Sequence, residues 1–169
     1  MTPYQALLER FAATRTPFRE ISHPPAAAAA DYHVVVGSRL AQQAKALFLR
    51  RYRRDGRKDY FIYALPGDRT ADLDALGRHV SSARLRLATP DELKRATGCG
   101  FGELPPVGSI FGVDLVLDER LVREPELYFN AGRLDRSFVV EPPHLVALEA
   151  PSLLPIGRDS APGASDGGA

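Results

Sequence analysis

The run CGFGELPPVGS, Cys99 to Ser109, has the residue types a binding loop needs: three glycines and two prolines in eleven positions. Glycine lets backbone amides approach a bound group, and proline fixes the path of the chain beforehand. A plain turn needs one or two such residues. Lys45 is the second candidate. It stands before four apolar positions, Ala46 to Leu49, so its ammonium belongs at the edge of a buried strand. There it either snorkels to solvent or holds a phosphate or polar ligand group at a pocket mouth. The third candidate is RRYRRDGRK, Arg50 to Lys58, with six cations around Tyr52. It reads as a solvated hairpin tip or as a patch for RNA phosphates, with Arg50, Arg51, Arg53, Arg54 and Lys58 as the contacts.

Other chemistries lack their equipment. His23, His33, His79 and His144 are scattered, with no HxH or HExxH spacing, so no metal site is expected. Ser109 and Ser137 lie outside any GxSxG elbow. Cys99 has no cysteine partner and no histidine nearby in sequence, which makes a buried structural thiol the expectation. No side-chain nucleophile and no cofactor are implied. The net charge of +1 gives no global field for nucleic acid, and specific DNA binding would rest on the Arg50–Lys58 patch without a recognition helix. The start, MTPYQALLERF, is amphipathic and unlike a signal peptide. No apolar run approaches the roughly 18 residues of a membrane span. A cytoplasmic protein that touches no membrane is expected.

The elements that must position these groups can be read in outline. Thr2-Pro3 opens an amphipathic helix through Leu7, Leu8 and Phe11. FREIS is a short strand. HPPAAAAADYHVVVGS stays open between helix and surface segment, because prolines oppose and alanines favour helix. LAQQAKALFL gives a short helix or turn and then a strand. Asp55-Gly56 signals a hairpin into the strand DYFIYAL. A helix through Leu73, Leu76 and Val80, a strand at ARLRLA and a helix capped by Thr89-Pro90 follow. SIFGVDLVLDE holds another strand, and PELYFNAGRLDRSFVVEP reads as two strands around a turn at Asn130-Ala131-Gly132. This order predicts one α+β (mixed α/β) domain over residues 1–156, a curved mixed sheet or partial barrel flanked by helices. Residues 157–169 read as a disordered tail.

Taken in order, several segments resemble the YbaK/prolyl-tRNA-editing superfamily of aminoacyl-tRNA deacylases. AKALFLR resembles the family's lysine-bearing strand, with Lys45 at the functional lysine. GFGELPPVGS matches its G-x-x-x-P-x-G loop through Gly102, Pro106 and Gly108, and YFNAGRLDRSF resembles its F-N-A-G segment. The resemblance runs from Ser22 to about Val140. It implies that Lys45, Gly102 and Gly108 act on an aminoacyl ester, with amides as oxyanion donors and water assisted by the tRNA's terminal hydroxyl. It also implies that Pro105, Pro106, Val107, Ser109, Asn130 and Gly132 bind the substrate. The implied activity is deacylation, in trans, of mischarged tRNA carrying Ala, Ser or Thr. Aminoacyl-tRNA is then the partner, with a synthetase as a second. The alternative is a catalytically silent tRNA- or synthetase-binding module of the same fold.

Overall fold

The hairpin marked by Asp55-Gly56 forms the centre of the molecule. Strands β2 (Ala44–Arg53) and β3 (Lys58–Pro66) pair antiparallel from Ala44↔Pro66 to Tyr52↔Lys58. A computed structural model describes residues 1–155. In addition to the hairpin strands these comprise β1 (Arg19–Ser22), β4 (Ser82–Leu87), β5 (Asp114–Asp118), β6 (Leu127–Arg133), β7 (Arg136–Val140) and β8 (Ser152–Leu154). One sheet has the order β4-β2-β3-β5-β8, with β5 parallel to both β3 and β8. The other has the order β1-β7-β6 and is antiparallel. A single parallel bridge, Gln43↔Tyr128, joins the two sheets. The expected curved mixed α+β architecture is present, as two linked sheets rather than a closed barrel.

Alternation along β2 divides the interior. Ala44 and Phe48 face the larger core, with Leu7 and Phe11 of α1 (Pro3–Thr14), Phe129 of β6 and Phe138 of β7. Leu47 and Leu49 face a smaller core with Tyr63, Leu65 and Leu76, the last from α3 (Leu73–His79). Both faces of the hairpin are therefore covered, which explains its nearly unbroken apolar text. Helix α4 (Pro90–Thr97) starts as expected: Thr89 accepts from Glu92 N, and the Glu92 side chain returns to Thr89 N.

Three readings change. The alanine segment resolves into α2 (Ala29–Val36), which begins beyond the prolines. The β6–β7 turn lies at Leu134-Asp135, not at Asn130–Gly132. The strand continues because Ala131 is fully buried, while Gly132 takes φ +78 inside a register shift between Asn130 and Arg133. A Cβ on Gly132 would lie 2.8 Å from Tyr4 N, so this glycine admits α1 against β6. Finally, PPHLVALE forms α5 (Pro142–Glu149), followed by β8, neither of which periodicity marked. The predicted tail, 157–169, lies outside the described residues. No described helix is long and apolar enough to cross a membrane.

Candidate active site

The site begins as an interruption in sheet pairing. One edge of β2 pairs with β3 throughout, whereas the other meets β4 only from Leu49 to Arg53. Phe48 O accepts from Ala88 N across this second edge. Backbone groups two residues apart point the same way, so the N–H and C=O of Ala46 face the same edge, beyond the end of β4. Gln43 then bridges to Tyr128. Between the bridge and β4 lies a small cavity of about 40 Å³. Its walls come from Ala44, Lys45 and Ala46 on β2, Gly102 and Leu104 of the glycine-proline loop, and Phe129 and Asn130 on β6. Ala27 and Gln43 complete them. Sequence reading thus put Lys45, Gly102 and Asn130 in one site, and the fold brings them together.

Lys45 is buried, and its Nζ donates to Arg69 O at 2.9 Å in the loop between β3 and α3. That bond fixes the cation's position. Gly102 has φ +81 and sits so close to the chain at Ala27 that a Cβ would fall 2.6 Å from Ala27 Cα. Only glycine fits both constraints. Among the described residues, the amides of Gly102 and Leu104 have no hydrogen-bond acceptor. Gln43 Oε1 is likewise buried without a donor among them.

A polar clamp behind the cavity holds its shape. Asn130 Nδ2 donates to Ala26 O and to Gly102 O, both at 2.8 Å, tying β6 to two wall segments. Ser137 on β7 is fully buried, and its Oγ lies 3.3 Å from Asn130 Oδ1. Tyr32 OH donates to Ser137 Oγ at 2.8 Å, and His23 Nε2 lies 2.6 Å from the same oxygen. His23 Nδ1 is 2.8 Å from Pro24 O, which can only accept, so Nδ1 carries a proton. In the neutral ring, Nε2 then accepts from Ser137. Burial drives the Tyr32 phenol well above its ordinary pKa, keeping it a donor. Sequence reading assigned no role to His23, Tyr32 or Ser137. Their separations of 105 and 114 residues form no local motif.

The remaining expected residues lie elsewhere. Pro105, Pro106 and Val107 are buried, Val107 in the larger core, and they brace the loop without lining the cavity. Gly108 begins a 3₁₀ turn over Gly108–Phe111, where a Cβ would fall 2.3 Å from Val113 O. Ser109 is exposed, with its hydroxyl bonded to Glu149 and approached by Arg10 Nε at 3.1 Å. The loop therefore lines the cavity with its first half and packs against the fold with its second. Among the cations, Arg51 and Arg53 both bond Asp59, which they hold down to a pKa of about 2. Arg50 bonds Tyr60, while Arg54 and Lys58 are exposed. Cys99 is fully buried, and burial pushes its thiol up to about 11, so it is no nucleophile. Among the described residues, no group of three or more His, Cys, Asp or Glu could hold a metal.

The chain is similar to known proteins in sequence and in fold. Residues 23–148 match the profile of the aminoacyl-tRNA editing domain. The Multifunctional Ser/Thr-tRNA deacylase ProXp-y of Escherichia coli (strain K12) is 31% identical over 156 residues, covering 92% of this chain and 93% of that protein. Proline--tRNA ligase of Bordetella petrii is 29% identical over 130 residues, covering 77% of this chain but 23% of the ligase. A solved structure of a candidate trans-editing enzyme for prolyl tRNA synthetase shares the fold, with TM-score 0.77 and 24% identity over 90% of this chain and 95% of that one. The chain belongs to the aminoacyl-tRNA editing domain family.

Proposed function

We propose that the protein is a trans-acting aminoacyl-tRNA deacylase that hydrolyses the ester of tRNA mischarged with a small amino acid of the Ala, Ser or Thr class. The observation that carries this reading is the composition of the cavity wall: main-chain donors and one lysine, with no carboxylate, imidazole or thiol. A wall without a general base suits a reaction in which the substrate supplies one. Water forms the new C–O bond at the ester carbonyl, assisted by the neighbouring hydroxyl of the terminal ribose. The ester C–O bond breaks, and the ribose oxygen leaves with a proton. The amides of Gly102, Leu104 and Ala46 are the donors available to the developing oxyanion, and Asn130 preorganises them through the Gly102 carbonyl. Lys45 orients the aminoacyl end or its phosphate, and Gln43 Oε1 offers an acceptor to the substrate's ammonium.

Cavity size supports the substrate class. The small cavity between Leu104, Phe129 and alanine side chains favours short side chains over long ones. One methylene is worth about 1–3 kcal/mol in such a pocket, enough to sort substrates within a series. Aminoacyl-tRNA is the partner, and the kinship with part of a proline–tRNA ligase supports a synthetase as a second. Incubating the protein with alanyl-, seryl-, threonyl- and leucyl-tRNA tests the proposal. Release of the small amino acids should be fast, leucine should be retained, and Lys45→Ala and Gly102→Ala should each lose most activity. A parent chain that matches Lys45→Ala on every member, while still binding tRNA, would be the silent module instead.

A further inference from the structure

Strand alternation sorts the cations of the hairpin onto two faces with different fates. Arg51 and Arg53 converge on Asp59 at 2.8 and 2.6 Å and are neutralised there. On the other face, Tyr52 stands directly opposite Lys58 on β3 and Arg84 on β4. Two residues back, Arg50 stands opposite Tyr60 and Arg86. Four cations lie around the Tyr52 ring: Arg84 at 5.1 Å from its centroid, Arg50 and Lys58 at 5.7 Å, and Arg86 at 5.9 Å. Arg86 Nε also donates to the Tyr52 hydroxyl, which lowers that phenol's pKa. Like charges on adjacent strands repel, so this arrangement opposes folding unless something offsets it.

One carboxylate offsets part of it. Glu92 of α4 accepts from Arg86 at 2.7 and 3.1 Å and from Tyr60 OH, with Arg50 at 3.6 Å. Four cations against one carboxylate leave the face at +3. The exposed pair, Lys58 and Arg84, form no ion pair among the described residues. A face of aromatic-braced cations that one carboxylate neutralises only in part, with its two exposed members outside any ion pair among the described residues, is complementary to a polyanion. Tyr52 and Arg50 share their strand face with Ala44 and Ala46 of the cavity, and Tyr52 lies six residues beyond Ala46, about 20 Å at about 3.3 Å per residue. That span exceeds a terminal nucleoside and reaches the paired stem behind it.

We propose that the face carrying Lys58, Arg84 and Arg86 around Tyr52 binds the phosphate backbone of the tRNA acceptor stem. This rests on the deacylase reading for its choice of RNA, and it leaves Arg51 and Arg53 out of the interface. Phosphate contacts fix register without reading sequence, so the surface positions the ester and the cavity selects it.

The test measures binding of uncharged tRNA to the full chain between about 50 and 200 mM salt. Arg84→Ala and Lys58→Ala should each weaken binding several-fold and lower the slope of log K against log salt by about one. Arg53→Ala, on the opposite face, should stay within about twofold of the parent. Hydrolysis of a 3′-aminoacyl adenosine, which has no stem, should proceed equally in Arg84→Ala and parent. Arg84→Gln serves if thermal melting shows the alanine variant to be misfolded. Parent-like affinity and slope in the Lys58/Arg84 double variant overturn the proposal, as does equal weakening by Arg53→Ala. Salt-dependent tRNA binding that requires Arg84, in a chain that cleaves no aminoacyl ester, keeps the interface and removes the deacylase reading.

Discussion

Two polar networks flank the same side of β2 and differ in kind. Behind the cavity, Asn130, Ser137, Tyr32 and His23 form a buried set whose bonds run to each other and to main-chain carbonyls. At the hairpin end, Glu92, Arg86, Arg50 and Tyr60 form a charged set, partly exposed to solvent. The first lies in a low-dielectric interior, where a missing partner is costly and salt has little reach. The second draws on Coulomb attraction that solvent ions screen. The contrast teaches where each kind of network is useful. A site that must keep donors in place uses buried bonds. A surface that must accept and release a polyanion uses charges that remain adjustable.

The comparison can be broken by substitution. Asn130→Ala should have the largest effect, since it strips the side-chain donor from two carbonyls. Urea unfolding should show a loss of about 2–4 kcal/mol, and deacylation should fall more than tenfold because the Gly102 loop is no longer held. Ser137→Ala should cost about 1–3 kcal/mol by leaving Tyr32 and His23 facing a methyl group, with the same loss at low and high salt. Glu92→Gln should cost less than either and should respond to salt. Hydrogen bonding from Arg86 holds the Glu92 carboxyl well below its usual range, so the parent's advantage exists above the ordinary carboxylate pKa and fades on acidification. An Asn130 variant whose loss shrinks in salt, or a Glu92 variant whose loss does not, would erase the distinction.

The smallest effect sharpens it further. Asp59 has a folded pKa of about 2, depressed chiefly by its hydrogen bond from Arg51, against an unfolded value of about 3.9. Its stabilisation is complete above about pH 4 and is lost as pH falls toward 2. Asp59→Asn should therefore flatten the acid limb of the stability curve in that window and leave it unchanged near neutrality, apart from a constant offset.

How much of this was legible from the text depends on how local each signal is. The hairpin, the Thr89 cap and the Lys45 strand were readable because turn chemistry, capping and apolar runs act within a few residues. Gly102 and Asn130 were found through a resemblance, and their cooperation became visible only in space. His23 and Ser137 looked like isolated polar residues, because nothing near either one announces a partner across the sheet. The Gly100–Ser109 loop was read as one functional unit, yet its chain turns inward after Leu104 and spends Val107 and Gly108 on packing. The cations after Leu49 were read as one patch because composition ignores alternation. In a strand, neighbours in text are opposites in space.

The gap beside Ala46 has a consequence for how such proteins diversify. Because the oxyanion donors proposed there are peptide amides, no mutation of a side chain deletes them. Swapping Ala27, Ala46 or Leu104 for a bulkier or slimmer residue would re-gauge the aperture while the chemistry stays put. A lineage can thus drift from one amino acid to another by small steps, each of which still cleaves something.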